Sequence, residues 1–426
     1  MSNTENLLEF IRKSPTAMHT VDTVKSILLD KGFMELKEGE AWTAEAGNYF
    51  VIRGGSSVIA FKRGKAPEGF TVVASHTDTP ALKITGLNER GGLYASVPVE
   101  KYGGSILYSW LDRPLSIAGR LVVKTESAMS VKLVNVDRDL ISIPSIAIHQ
   151  NRGVNDGYKL NPAVDMLPLL SLAGEGGDLK KLLAEVALVN ASDIISSDLY
   201  VYNRDGGHFF GIDGEFVLSP RLDNLASVFS SLTAFVEAPA RDDTVEVLAA
   251  FDNEEVGNAT KQGANSTFLK SVLTKIAGGD EALYSMLDNS FMVSLDNAHA
   301  RHPNHPELSN PQAAPILGGG VAVKYHANQF YTTDAVSDAA IRFIAEKAGV
   351  TLQSFATRAD MLSGSTLGSV ATTRLGICSV DLGIPQLAMH SSTETVAVAD
   401  IDSAVELIRA VYSSKVSRNG AEIKIC

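Results

Sequence analysis

The sequence predicts an α/β fold that carries a large β-rich insertion, and three observations predict it. Continuous apolar runs at residues 70–75, 244–251 and 290–295 have the length of buried strands. Helical stripes alternate with them, the clearest being Leu225, Phe229, Leu232 and Val236. Between residues 91 and 217 that alternation gives way to short strand-like runs separated by Gly-, Pro- and Asp-rich turns. The chain is therefore expected to divide into a discontinuous α/β domain, residues 1–90 and 218–426, interrupted by a β-rich domain at 91–217.

The individual elements follow from local signals. Leu7, Phe10 and Ile11 form one face of a first helix, which Pro15 interrupts. A second helix is expected over 19–30, with Gly32 just past its end. Alternation over 48–63 around Gly54-Gly55 predicts a hairpin. In the insertion, residues 119–124 and 130–135 read as strands and 150–162 as a polar loop. Helices are expected again at 334–348 and 401–415, with a strand at 376–381 between them.

Composition narrows the function. At 426 residues, 45% hydrophobic and 20% charged, the chain can bury a large core in two or three domains. No apolar run approaches the roughly 18 residues that span a bilayer. The first 13 residues read as an amphipathic helix and not as a secretion signal. Two cysteines, Cys378 and Cys426, cannot build a disulfide framework, which favours a reducing cytoplasm. A formal charge of -12 argues against a nucleic-acid partner, and any preference for acidic substrates would need a local cation.

Three apolar runs end in acids or imidazoles: Ser75-His76-Thr77-Asp78, then Asp252-Asn253-Glu254-Glu255, then Asp296-Asn297-Ala298-His299. Asp223 opens a helix in Arg221-Leu222-Asp223-Asn224, and His390 follows the last strand in Met389-His390-Ser391. An isolated acid at a strand end is ordinarily a cap or turn residue. Successive strand ends bearing His-x-Asp and Glu-Glu are not explained by capping, because buried carboxylates cost several kcal/mol each without a neutralising cation. Ligands of open α/β sheets gather beyond the carboxyl ends of the strands, where these residues can converge.

Two histidines and three carboxylates suit zinc, with manganese or cobalt as alternatives. Asp223 is the candidate bridge between two ions. His76 and Asp296 would complete one, Glu255 and His390 the other, and Asp78 would orient His76. One of the adjacent acids Glu254 and Glu255 can bind metal while the other serves as general base towards a water shared by the ions.

These motifs, taken with Thr79-Pro80 and Val256-Gly257, resemble the aspartyl aminopeptidase family of binuclear-zinc metallopeptidases, in family order over residues 76–391. The resemblance implies a zinc-exopeptidase-like α/β/α sandwich with a mixed sheet, and makes the insertion a dimerisation domain. It also implies a tetrahedral dodecamer built from dimers, Glu254 as base and Glu255 as ligand. By the same resemblance His149, in Pro144-Ser145-Ile146-Ala147-Ile148-His149, helps bind the substrate carbonyl in a neighbouring subunit. Lys324 would face an acidic N-terminal side chain, and Met361 and Gly364 would line the substrate pocket. The expected activity is release of N-terminal residues, Asp or Glu by preference, from peptides with a free amine. Broader N-terminal preference, a related carboxypeptidase or amidohydrolase, and a non-catalytic metal-stabilised shell protein are the alternatives.

Overall fold

A computed structural model of the chain describes all residues except 43–44, 88–91, 173–177 and 420–421. Four parallel strands form the centre of its large sheet, in the spatial order Val245–Phe251, Phe70–His76, Phe291–His299 and Cys378–Leu387. The predicted hairpin, Gly47–Arg53 and Ser57–Arg63, adds antiparallel strands on one side. Glu394–Ala397 and Phe216–Ser219 add antiparallel strands on the other, so the sheet is mixed. The strand expected at 376–381 runs on to Leu387, and at Gly383 it lies close against its neighbour. A side chain at Gly383 would come within 2.6 Å of the Ala298 Cβ.

Burial on both faces explains why the central strands read as continuous apolar runs. Successive side chains point to opposite faces, so Val73, Leu248, Ala250, Val293 and Leu295 enter one core while Val72, Ala74, Val247, Ala249 and Met292 enter the other. The first core takes in side chains of helices Asn3–Lys13, Ala17–Asp30, Leu222–Glu237, Ala335–Ala348 and Val398–Tyr412. The second takes in Phe268–Ala277, Asp280–Leu287 and Leu367–Leu375, three helices the sequence patterns do not predict. Helices on both faces of a mixed sheet make the predicted α/β/α sandwich.

The β-rich segment has a sheet of its own, ordered Val99–Tyr102, Ala81–Ile84, Ile194–Asn203, Leu115–Lys124 and Met129–Asn135, all antiparallel. Its core gathers Leu82, Ile117, Leu121, Leu199 and Val201 under the helix Leu179–Ala187. The sheets change over earlier than expected at both ends. Ala81–Ile84 already pairs in the second sheet, and His208–Phe210 and Phe216–Ser219 already pair in the first. Residues 90 and 91, where the first boundary was expected, lie outside the described residues. The polar loop expected at 150–162 holds one short turn, Val154–Asp156. Among the described residues no helix is long and apolar enough to cross a membrane.

Lys62 and Glu246 are cross-strand neighbours inside the sandwich, and both are buried. The Lys62 ammonium donates to the carbonyls of Phe235 and Ala238, closing the C-terminal end of the helix that begins beside Asp223. Burial pushes the Glu246 carboxyl up to about 7 in spite of Lys62, so the fold favours its protonated form. The associated stability is complete below the ordinary carboxyl range and is lost as pH rises through 7. In urea unfolding, the stability of the native chain relative to Glu246→Gln is expected to fall by about 2 kcal/mol between pH 5 and pH 8. A difference that does not move with pH would contradict this assignment.

Candidate metal centre

Strand register brings the acids and imidazoles together. Phe251 lies opposite His76, so the turn 252–255 leaves the sheet beside that imidazole. On the other side Ser294 pairs with Ala74, and Asp296 stands two residues further on, level with His76. Asp296 in turn lies opposite Gly383, four residues before the strand Cys378–Leu387 ends and delivers His390. Ser219 pairs with Glu394, which draws the start of helix Leu222–Glu237, and with it Asp223, into the same place.

Asp223 faces both imidazoles. Its Oδ1 lies 3.3 Å from His76 Nε2, and its Oδ2 lies 3.5 Å from His390 Nε2. His76 Nε2 is also 3.5 Å from Asp296 Oδ1, and His390 Nε2 is 3.5 Å from Glu255 Oε2. Two triads of donors result, His76–Asp223–Asp296 and Asp223–Glu255–His390, and Asp223 belongs to both. Glu254 joins His76 and Glu255 in a third. Spacings of 3.3–3.5 Å are long for hydrogen bonds. They match donors that share one tetrahedral ion, since bonds of about 2.0–2.1 Å at that angle separate the donors by about 3.4 Å.

The electrostatics also fit a cation. Asp223 Oδ1 and Glu255 Oε1 are buried without a hydrogen-bond partner. Burial and the charge of Asp223 push the Glu255 carboxyl well above its ordinary range. Burial, with the Asp296, Asp78 and Asp223 carboxylates, raises Glu254 to about 7 against the pull of His76. Burial opposes charge on the imidazoles, yet Asp223, Asp296 and Asp78 push His76 well above its usual value. Asp223, Glu255 and Glu394 likewise raise His390 to about 10. The imidazolium charge that these acids call for is the charge a divalent ion supplies on displacing those protons.

The surroundings hold the donors in place. Asp78 meets the His76 ring Nδ1 through its main-chain oxygen at 3.0 Å, with its carboxylate further off at 3.4 Å. The carboxylate instead accepts from the backbone N–H groups of Glu254 and Glu255, at 3.1 and 3.2 Å. Glu394, which the sequence patterns do not single out, accepts from the backbone N–H of Asp223 at 2.9 Å and of His390 at 2.7 Å. Its only sequence signal is an acid four residues beyond His390.

Lys324 is buried and donates to Asp296 Oδ2 at 3.0 Å and to the Asn297 carbonyl at 2.6 Å, so its ammonium is engaged with the candidate ligand strand. Met361 and Gly364 line a cavity of about 320 Å³ together with His299, Arg358 and Met389, the residue before His390. His149 stands exposed on the β-rich segment and is not among the converging donors.

A three-layer sandwich with paired donor triads at the carboxyl ends of its strands defines a metallohydrolase. The family model for aminopeptidase I zinc metalloproteases (M18) matches residues 10–412, and the chain belongs to that family: it is a metal-dependent aminopeptidase. A probable M18 family aminopeptidase 2 of Clostridium novyi is 41% identical over 423 residues, covering 96% of this chain and 98% of the relative. Aspartyl aminopeptidase 1 of Schizosaccharomyces pombe is 36% identical over 445 residues, covering 96% and 94%. Among solved structures, a chain of the Ape4 and Nbr1 complex superposes with a TM-score of 0.93 at 34% identity, over 96% of this chain and 85% of that one. The mApe1 dodecamer of S. cerevisiae gives 0.84 at 26%, over 96% and 97%.

Stripping metal with a chelator is expected to lower the thermal midpoint by several degrees, because the acids then repel one another unrelieved. Added zinc should restore the midpoint in a concentration-dependent way. A midpoint indifferent to both treatments would sink the assignment of the donor triads.

Proposed function

We propose that the enzyme releases N-terminal Asp or Glu from peptides with a free α-amine, using two divalent ions held by the triads that share Asp223. The observation that carries this reading is the bridging disposition of Asp223, one oxygen towards each imidazole. Zinc is the family's metal, and the donor set also suits manganese or cobalt. Bound there, the ions supply Lewis acidity to the scissile carbonyl and acidify a water.

The chain's own groups do the rest. Glu254 takes a proton from the attacking water and passes it to the leaving amine. Glu255, beside it, is the ligand. Asp78 holds the backbone of both acids, and so sets where the Glu254 carboxyl points. The side chain of the first residue occupies the cavity lined by Met361 and Gly364. No Asp or Glu lines that cavity among the described residues, which supports an acidic occupant. Lys324, which does not line that cavity and is bonded to Asp296, would add the charge-assisted contact that selects it on turning towards the substrate.

A second reading, broad or neutral N-terminal preference, is favoured by the two hydrogen bonds that tie Lys324 to Asp296 and Asn297. An aminoacyl-substrate panel separates the two. Glu254→Gln should retain zinc and lose about 10²–10⁴-fold in kcat on every substrate, and near wild-type kcat would refute the base. Lys324→Ala should lower kcat/KM about tenfold more for Asp and Glu than for Ala substrates. A uniform loss would assign Lys324 to Asp296 alone. N-acetylated peptides should be refused by all forms.

Likeness to the S. cerevisiae mApe1 dodecamer supports a twelve-subunit particle, which we propose to be a tetrahedral dodecamer built from dimers joined through the β-rich segment. Exposed on that segment, His149 would then complete the site of a neighbouring subunit and bind the substrate carbonyl there. Mixing inactive His149→Ala subunits with inactive Glu254→Gln subunits should regenerate activity, whereas a His149 serving its own subunit would leave the mixture dead. The unpaired Cys378 and Cys426 accord with a cytoplasmic location.

A further inference from the structure

The β-rich segment also reaches the site within its own subunit. Ala81–Ile84 follows Asp78 almost directly and pairs with Val99–Tyr102, and the register Ala81 to Tyr102 returns the second strand to the level of Asp78. The Tyr102 hydroxyl donates to Asp78 Oδ2 at 2.7 Å. Its ring is held edge-on by Tyr200, 5.4 Å away on the strand Ile194–Asn203 beyond Ala81–Ile84.

The direction of that proton is fixed by the next residue in the chain of bonds. Asn253 accepts through Oδ1 from Thr260 Oγ1 at 2.9 Å and from Gln262 Nε2 at 3.0 Å. Its amide nitrogen therefore faces the phenol and donates to it at 2.9 Å. With one lone pair of the phenol so occupied, its single O–H goes to Asp78. Asp78 Oδ2 thus takes Tyr102 together with the Glu255 backbone, while Oδ1 takes the Glu254 backbone.

The residues after Tyr102 stay against the same machinery. Gly103, at a φ of +72°, passes so close to Glu255 that a Cβ would lie 3.1 Å from the Glu255 Cβ. A Cβ on Gly104 would lie 3.0 Å from His390 Nδ1. Ile106 N–H donates to the His390 carbonyl at 2.9 Å, and Ser392 N–H donates to Ser109 Oγ at 2.8 Å. Residues 102–109 therefore wall one side of the site, touching Asp78, Asn253, Glu255, His390 and Ser392.

We propose that Tyr102 is a positioning residue for the reaction: through Asp78 it sets the backbone that carries Glu254 and Glu255, so the β-rich segment takes part in catalysis as well as in assembly. The inference rests on the reading of Glu254 as base and Asp78 as its anchor. A buried carboxylate that loses one of three donors rotates towards the other two, and the Glu254 and Glu255 amides move with it. Groups that orient metal ligands in this indirect way govern affinity or turnover by about 10–100-fold.

The test is Tyr102→Phe in the full-length, zinc-loaded enzyme, read by kcat, KM and zinc retention against a graded chelator. At saturating zinc, kcat is expected to fall about tenfold with KM within about twofold, and zinc retention to weaken by about tenfold. In combination with Asp78→Asn the losses in kcat and zinc retention should not multiply, since both changes cut the same path. A packing role alone, which the retained ring of Phe would preserve, would leave kcat and zinc retention near wild type. Should Tyr102→Phe fail to fold, Asn253→Gly, which suits that residue's left-handed backbone, removes the donor that aims the phenol and should reproduce the kcat loss in weaker form. A kcat within twofold of wild type in the folded variant, or full multiplication with Asp78→Asn, overturns the proposal. Wild-type enzyme unable to cleave free-amine peptides would overturn the functional reading instead.

Discussion

Like charges confined to one small volume constrain everything else in this protein. Asp223, Glu255, Asp296 and Glu254 converge from the ends of two parallel strands and one helix around the imidazoles of His76 and His390. In water such a group of acids would disperse. Here the backbone cannot yield, because each strand end is fixed by register to a neighbour buried on both faces. Protons or divalent ions must therefore carry the compensating charge, and the spacing of donors around Asp223 suits ions.

A ring of uncharged donors keeps this arrangement from relaxing. Backbone N–H groups of Glu254 and Glu255 hold Asp78, and those of Asp223 and His390 hold Glu394. Two further acids are thus spent on fixing the main chain that presents the donors. Lys324 does the same for Asp296 from the side chain. The site is rigid because its ligands lie on or directly beside strand and helix ends, and because their neighbours leave them few other places to go.

The β-rich segment illustrates how an insertion becomes part of a site. It leaves the large sheet three residues after Asp78 and comes back to Asp78 at Tyr102, so its first hairpin is anchored at the chemistry. The same segment carries the exposed His149.

Chain order by itself determined the apolar strands, the principal helices and the residue types at the strand ends, since periodicity and composition are local properties. His76, Asp223, Glu254, Glu255, Asp296 and His390 could all be named from motifs. Tertiary structure alone decided which of them meet, because register across parallel strands depends on partners more than 150 residues away in sequence. It also revealed Glu394 and Tyr102, whose flanking residues carry no motif and whose partners arrive through the pairing of Ser219 with Glu394 and of Ala81 with Tyr102. The helices Phe268–Ala277, Asp280–Leu287 and Leu367–Leu375 escaped prediction for a related reason: they are short, and their stability comes from packing on the sheet more than from their own sequence. Lys324 shows the same limit most plainly, since a lysine in a short apolar strand gives no sign in sequence that its ammonium meets the carboxylate of Asp296.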